Sequence, residues 1–221
     1  MNLALEVEPG PAAAAGRVGE FVVAAARKAI AERGRFSVAV SKAPSAMLRV
    51  VAEGDHSWAA MRIYQVDERV APAGDADRNL THLLAALPDD AGDSVLPMPV
   101  EDRDREEAAD RYAAQLPAQL DLVHLGLGSD GHTASLVPSD PVLEVRDRLV
   151  AVTGEYQGRR RMTLTYPALA AAREIVWLIT GAEKRAAVAQ LLARDTSIPA
   201  ARISNPHQLV VCDAAAVELL G

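Results

Sequence analysis

Two apolar rhythms alternate along this chain. Short runs are apolar at nearly every position, and longer stretches repeat an apolar residue every three or four places. The short runs at 3–7, 36–40, 61–66, 121–127, 175–180 and 209–212 predict strands, those at 36–40 and 175–180 being buried. The longer stretches predict helices at 12–33, stopped by Gly34, from Pro44 to about 53, and at 77–87, 105–116, 182–192 and 214–220. Segments 149–153 and 161–165 read as extended, and a connection through Pro97 and Pro99 separates the third and fourth helices. Strands that alternate with helices predict an α/β protein with an open, mostly parallel sheet and helices on both faces. No repeat or low-complexity linker interrupts the pattern, so residues 1–221 are expected to form one domain.

Composition narrows the range of functions. Half of the 221 residues are hydrophobic, enough for a substantial core. The net charge of −7 comes without any run of Lys and Arg interleaved with aromatics, so no nucleic-acid partner is expected. An anionic ligand would need a local cationic pocket. The lone Cys212 excludes an intrachain disulfide and a cysteine metal cluster, fits a reducing compartment, and reads as a buried small residue. The amino terminus lacks a basic segment followed by an apolar core, and no apolar run approaches the ~20 residues that span a bilayer. A soluble cytoplasmic protein with no membrane partner is the expectation.

The densest chemistry lies at 121–138, where an apolar strand runs into a glycine-rich bend carrying Asp130 and His132. Parallel α/β sheets present catalytic side chains at strand carboxyl ends in this way. Gly126, Gly128 and Gly131 also satisfy the dinucleotide fingerprint Gly-x-Gly-x-x-Gly. Pro138 and Pro141 cut short the helix such a site needs, however, and segment 149–153 ends without the required acid, so no nicotinamide site is expected. Ser129 directly follows Gly128 and does not sit in a Gly-x-Ser-x-Gly elbow, so a serine-hydrolase reading fails. His132 is the candidate general base, with Asp130 orienting it or contacting substrate. His124 falls inside the strand pattern and reads as a satisfied sheet histidine. Two further strand ends carry charge: Asp67-Glu68-Arg69, with Asn79 downstream, and Thr180-Gly181-Ala182-Glu183-Lys184. The first alone would read as a solvated turn. The second places a lysine and a glycine turn at a helix start, where a phosphate gains backbone donors and the helix dipole.

The order Gly-x-Gly-x-Asp-Gly-His-x-Ala-Ser-Leu-x-Pro over 126–138 closely resembles the signature of the 6-phosphogluconolactonases, which belong to one family with the glucosamine-6-phosphate isomerases. The likeness runs from about Phe36 to the carboxyl terminus. It implies a Rossmann-related fold and hydrolysis of 6-phosphoglucono-δ-lactone to 6-phosphogluconate in the oxidative pentose phosphate pathway, with neither cofactor nor metal. Under it, His132 deprotonates a water that attacks the lactone carbonyl, while Lys184, Arg161 and Lys42 hold the phosphate. Arg69 or loop amides would meet the developing oxyanion, and Gly128 and Gly131 join the substrate-binding set. Asp-Glu-Arg matches the family at 67–69. Arg69 offers bidentate donors for a carboxylate or phosphate, and Asp67 and Glu68 hold sugar hydroxyls or fix that arginine. Arg161 aligns with a family arginine, whereas Arg159 and Arg160 read as solvated.

The chain departs from the family after segment 36–40. There the family carries Gly-Gly-Ser-Thr-Pro, a backbone nest for phosphate. Aligned on Pro44, this chain has Val40, Ser41, Lys42 and Ala43. Phosphate then rests on Ser41 and the Lys42 charge, or the loop takes another shape with an altered ligand preference. The related deaminase-isomerases share Asp-Gly-His but continue Ala-Phe-Asn-Glu-Pro, and Val137 stands here in place of that glutamate. A valine cannot shuttle a proton, so lactone hydrolysis is preferred over the alternatives, a deaminase or isomerase of the same fold and a non-catalytic phosphosugar-binding relative. The expected partner is a small sugar-phosphate lactone, and a monomer is favoured.

Overall fold

The computed structural model describes residues 2–218. The chain opens with β1 (Asn2–Glu8), α1 (Pro11–Arg33), β2 (Phe36–Val40), α2 (Ser45–Ala52) and β3 (Met61–Gln65). It continues through β4 (Asp67–Arg69), α3 (Asn79–Ala86), β5 (Val95–Leu96), α4 (Arg105–Gln115) and β6 (Leu122–Leu125). The last third holds β7 (Val150–Val152), β8 (Arg161–Leu164), α5 (Tyr166–Ala170), β9 (Ile175–Ile179), α6 (Arg185–Leu192), β10 (His207–Asp213) and α7 (Ala214–Val217). Of the helix expected at 214–220, positions 219 and 220 lie outside the described residues.

Helix α1 starts with Pro11 in its first turn and ends at Gly34, whose φ of 73° is the left-handed cap its fixed position requires. Its buried stripe includes Ala14, Val18, Val22 and Ala26. Gly19 lets it pack closely on α2, because a Cβ there would lie 2.7 Å from the Val50 Cβ and 2.9 Å from the Met47 carbonyl.

Seven strands form the main sheet in the order β1-β10-β9-β6-β2-β3-β5, every pair parallel. One apolar layer packs α1 and α2 against Phe36, Val38, Val176 and Val211. The opposite layer gathers Tyr112 of α4, Leu169 of α5 and Val188 of α6 around Trp177 and Val123. Helices therefore cover both faces, as all-parallel sheets require. From β2 the chain winds outward to β3 and β5, and from β6 it winds the other way to β9 and β10. The carboxyl ends of β2 and β6 thus flank the point where the winding reverses, which is where open α/β sheets place their ligands. No helix among the described residues is long and apolar enough to cross a membrane.

A second, antiparallel sheet, in the order β4-β8-β7, is absent from the sequence expectation. Asp67-Glu68-Arg69 was expected as the end of a strand, whereas it forms a strand of its own. Val66 is the seam: its N–H donates to the Val40 carbonyl of the main sheet at 3.0 Å, and its carbonyl accepts from Leu164 of the small sheet at 2.7 Å.

Candidate active site

The loop after β6 folds back on itself because its glycines leave room. A Cβ on Gly128 would lie 2.1 Å from the His132 Nδ1 and 2.6 Å from the Asp130 Oδ1. At Gly131 the backbone takes φ +80°, and a Cβ would meet the Ile198 Cβ at 2.5 Å. The turn is closed by Gly128 N donating to the His132 carbonyl at 2.8 Å and Gly131 N to the Gly128 carbonyl at 3.0 Å. The Thr133 hydroxyl donates to the Gly126 carbonyl at 2.8 Å. The next residue, Ala134, is held at φ 51°, an uncommon conformation for a residue with a Cβ.

This bend puts the His132 Nδ1 2.6 Å from the Asp130 Oδ1. An ionised carboxylate only accepts, so the ring proton sits on Nδ1 and the Nε2 lone pair is left for a substrate or water. Tyr156 donates its hydroxyl to the other Asp130 oxygen at 3.1 Å, and its ring meets the His132 ring edge-on at 5.6 Å. Partial burial pushes the Asp130 carboxyl up, but hydrogen bonds from the His132 backbone and ring and from Tyr156 outweigh it, and Asp130 stays below the usual carboxylate range. Burial, and then the Asp130 carboxylate, raise the Tyr156 phenol.

The small sheet supplies the positive charge. Its register sets Arg69 directly opposite Arg161 and Asp67 opposite Thr163, and side chains two apart share a face, so all four lie on one side. Like charges facing across strands repel. Asp67, buried behind them, offsets part of this, and burial raises its carboxyl against the opposing pull of the Ser135 hydroxyl, Arg161 and Arg69. The Ser135 hydroxyl donates to Asp67 at 2.6 Å, and its N–H donates to the Thr163 hydroxyl at 3.2 Å, which ties the His132 loop to the small sheet. Arg161 is buried, and burial lowers its guanidinium pKa, with Arg69 acting in the same sense and Asp67 against. It stacks 5.0 Å from the Tyr156 ring, and its Nε has no hydrogen-bond partner. A buried guanidinium with an unused donor, facing a second guanidinium, is a seat for an anion.

The family described as "glucosamine-6-phosphate isomerases/6-phosphogluconolactonase" matches residues 9–212. The chain belongs to this family. Among curated relatives, a 6-phosphogluconolactonase of Nostoc sp. is 32% identical over 98% of each chain. Two solved structures share the fold. A 6-phosphogluconolactonase from Thermotoga maritima has a TM-score of 0.84 and 23% identity over 96% of this chain and 99% of that one. A monomeric glucosamine-6-phosphate deaminase has a TM-score of 0.81 and 15% identity over 98% and 99%. The fold alone therefore does not separate lactonase from deaminase.

In this family member the remaining expected residues divide. Glu68 is not free to hold substrate. It is fully buried, its Oε1 accepts from the N–H groups of Arg69 and Asn79, each at 2.8 Å, and its Oε2 accepts from Leu80 N and Gln65 Nε2, each at 2.8 Å. It pins the start of α3 to β4 and acts through position alone. Gly128 and Gly131 likewise spend their amides inside the turn, so their part is steric clearance. Arg69 donates to the carbonyl of Asp77 and to Asn79 Oδ1 at 3.2 Å, which holds its guanidinium against the start of α3. Arg159, expected to be solvated, bridges Asp77 at 2.9 Å and Asp75 at 3.4 Å. Ser41 and Lys42 follow β2 beside the His132 loop. The Ser41 amide is taken by the His124 carbonyl at 3.2 Å and is not open to a phosphate. Lys42 is exposed at a cavity of about 350 Å³ between α2 and α3, which His82 also lines. Lys184 closes a one-turn 3-10 segment, Ala182–Lys184, at the carboxyl end of β9 and precedes α6 instead of starting it. His124 is buried in β6 but unsatisfied, since neither ring nitrogen has a hydrogen-bond partner.

Tyr156 is the site residue that the sequence reading missed. It sits at the first position of a tight hairpin turn between β7 and β8, with Gln157 at φ 53° and Gly158 at φ 76° and reciprocal backbone bonds to Arg159 at 3.0 and 3.3 Å. These positive φ values are those of a type I′ hairpin turn. Two extended segments around a glycine, with a tyrosine just ahead of it, were the available signal.

Proposed function

We propose that the chain is a 6-phosphogluconolactonase that hydrolyses 6-phosphoglucono-δ-lactone to 6-phosphogluconate in the oxidative pentose phosphate pathway. The observation that carries this reading is a histidine base with its Nε2 free, beside two facing guanidiniums with an unused donor, in a chain that aligns end to end with a lactonase relative. The His132 Nε2 takes a proton from water as its oxygen bonds to the lactone carbonyl carbon, and the carbonyl π electrons move onto oxygen. Asp130 stabilises the imidazolium that forms. The oxyanion is met by Arg69 or by the N–H groups of Ser129 and Asp130, which have no protein acceptor among the described residues. As the carbonyl re-forms, the ring C–O bond breaks and the departing alkoxide takes the proton back from His132. The product carboxylic acid then ionises.

Arg161 holds the phosphate, with Lys42 on the β2 side of the loop and Lys184 on the β9 side, where the two mobile ammonium groups flank the base. Asp67 keeps Arg161 and Arg69 facing the substrate. The test is lactone hydrolysis followed by proton release in weak buffer, corrected for the spontaneous reaction, alongside ammonia release from glucosamine 6-phosphate. Enzymatic lactone turnover without ammonia is expected. Ammonia release without lactone turnover would assign the deaminase chemistry, and neither activity in folded protein would leave a phosphosugar-binding relative.

A further inference from the structure

At the far end of the main sheet from His132, Phe36 and Ser37 of β2, Arg62 and Tyr64 of β3 and Asp121, just ahead of β6, border a cavity of about 470 Å³. Four arginines line it, Arg33, Arg35, Arg62 and Arg173, with Asp121 as the one carboxylate among the lining residues. In a chain of net charge −7 this is a local reversal of sign.

Asp121 cannot neutralise the cluster. Its Oδ2 accepts from the Ser37 N–H and hydroxyl, both at 2.9 Å, and its Oδ1 is shared between Arg33 at 2.9 Å and Arg173 at 3.3 Å. Arg33 has a second partner in Glu32 at 2.7 Å. Among the described residues Arg62 donates only to main-chain oxygens, those of Met61 at 2.7 Å and Ala59 at 3.4 Å, and no carboxylate pairs with its charge. Arg35 makes no hydrogen bond or ion pair among the described residues. Both act on the buried Tyr64 phenol in the cavity wall, where burial raises the pKa and the Arg62 and Arg35 charges oppose it. Phe36, Ala60 and Pro117 add apolar wall, and a low-dielectric concavity focuses the field of the charges that line it.

We propose that this cavity is a second binding site, for a small organic molecule bearing a di- or triphosphate group. Unpaired guanidinium forks bind phosphate oxygens in bidentate pairs. Two uncompensated forks, with Arg33 and Arg173 beside them, suit more than one phosphoryl group. The cavity volume falls within the roughly 300 to 1,000 Å³ usual for small-molecule sites. Because the sheet separates it from His132, the site is independent of the proposed hydrolysis.

Inorganic pyrophosphate in low-salt, magnesium-free buffer is the probe, and the rise of Tm with its concentration gives an apparent Kd. Wild type and Arg161→Ala should both show the rise, the second because its lesion lies in the other site. Arg35→Ala/Arg62→Ala should weaken binding about tenfold or more, the loss expected when charged hydrogen bonds disappear. Arg35→Ala alone removes no hydrogen bond or ion pair among the described residues, and should already weaken it measurably. No rise in the wild type, a rise abolished by Arg161→Ala, or an unchanged Kd in the Arg35 variants would each overturn the proposal.

Discussion

Replacing His124 by valine isolates one buried titration. The side chain is 1% exposed, its register partners are Val40 on β2 and Val176 on β9, and burial pushes its pKa from 6.5 down to about 4. The unfolded chain therefore takes up a proton near pH 6.5, while the folded chain resists until near pH 4. Stability from this group is whole above the higher value and is lost as pH falls through the window between them. At about 1.36 kcal/mol per pKa unit, the loss is roughly 2 kcal/mol by pH 5 and roughly 3 kcal/mol below pH 4. Against a typical total of about 5 to 15 kcal/mol, that is a large share. Valine extends the apolar row and removes two unpartnered polar atoms, so His124→Val should be at least as stable as wild type at pH 7.5. Urea unfolding at pH 7.5 and pH 5.0 measures the difference. The wild type should lose about 2 kcal/mol more than the variant over that interval, and equal losses in both proteins would refute the argument.

His132→Ala should keep its fold and lose about 10² to 10⁴ in kcat, the usual contribution of a general base; near-wild-type turnover would remove His132 from the mechanism. Tyr156→Phe keeps the ring on Arg161 but loses the bond to Asp130, so kcat should fall by about tenfold with KM little changed. Tyr156→Ala should raise KM as well, and identical kinetics in the two variants would sink this division. Lys42→Ala should raise KM for the phosphorylated lactone about tenfold and leave non-phosphorylated gluconolactone untouched, with equal effects on both ruling Lys42 out as a phosphate ligand.

Six of the seven strands of the main sheet were legible, the central ones because burial on both faces forces a run of apolar residues, whereas the two-residue edge strand Val95–Leu96 was not. Phe36–Val40 and Ile175–Ile179 are buried at every position, and the expected bounds at 36–40 coincide with β2. Strand β4 was not legible. Three charged residues look like a solvated turn until Asn79, Leu80 and Gln65 satisfy Glu68, and β8 pairs with Asp67 and Arg69 from more than ninety positions away. The His132 loop could be read because its glycines and acid are neighbours in sequence. Tyr156 could not, since its meaning arises only where a hairpin lays it across Asp130 and Arg161. His124 was read correctly as a sheet residue, but whether a buried ring finds a partner depends on atoms from other strands, and here none is supplied.

The seam at Val66 divides the site's labour. The proposed base His132 rides on the main sheet, while Arg69, Arg161 and the hairpin tip, the proposed anion clamp, ride on the small one, and backbone bonds at Val66 and the Ser135 contacts hold the two in register. The two are bridged again at Tyr156, which reaches Asp130 from the small sheet's hairpin while its ring lies on Arg161. An exchanged 154–160 tip would therefore alter the proposed grip on the phosphorylated lactone and the setting of His132 together. A shift at the seam would likewise move the two sheets against each other, so at neither place is one part altered without the other.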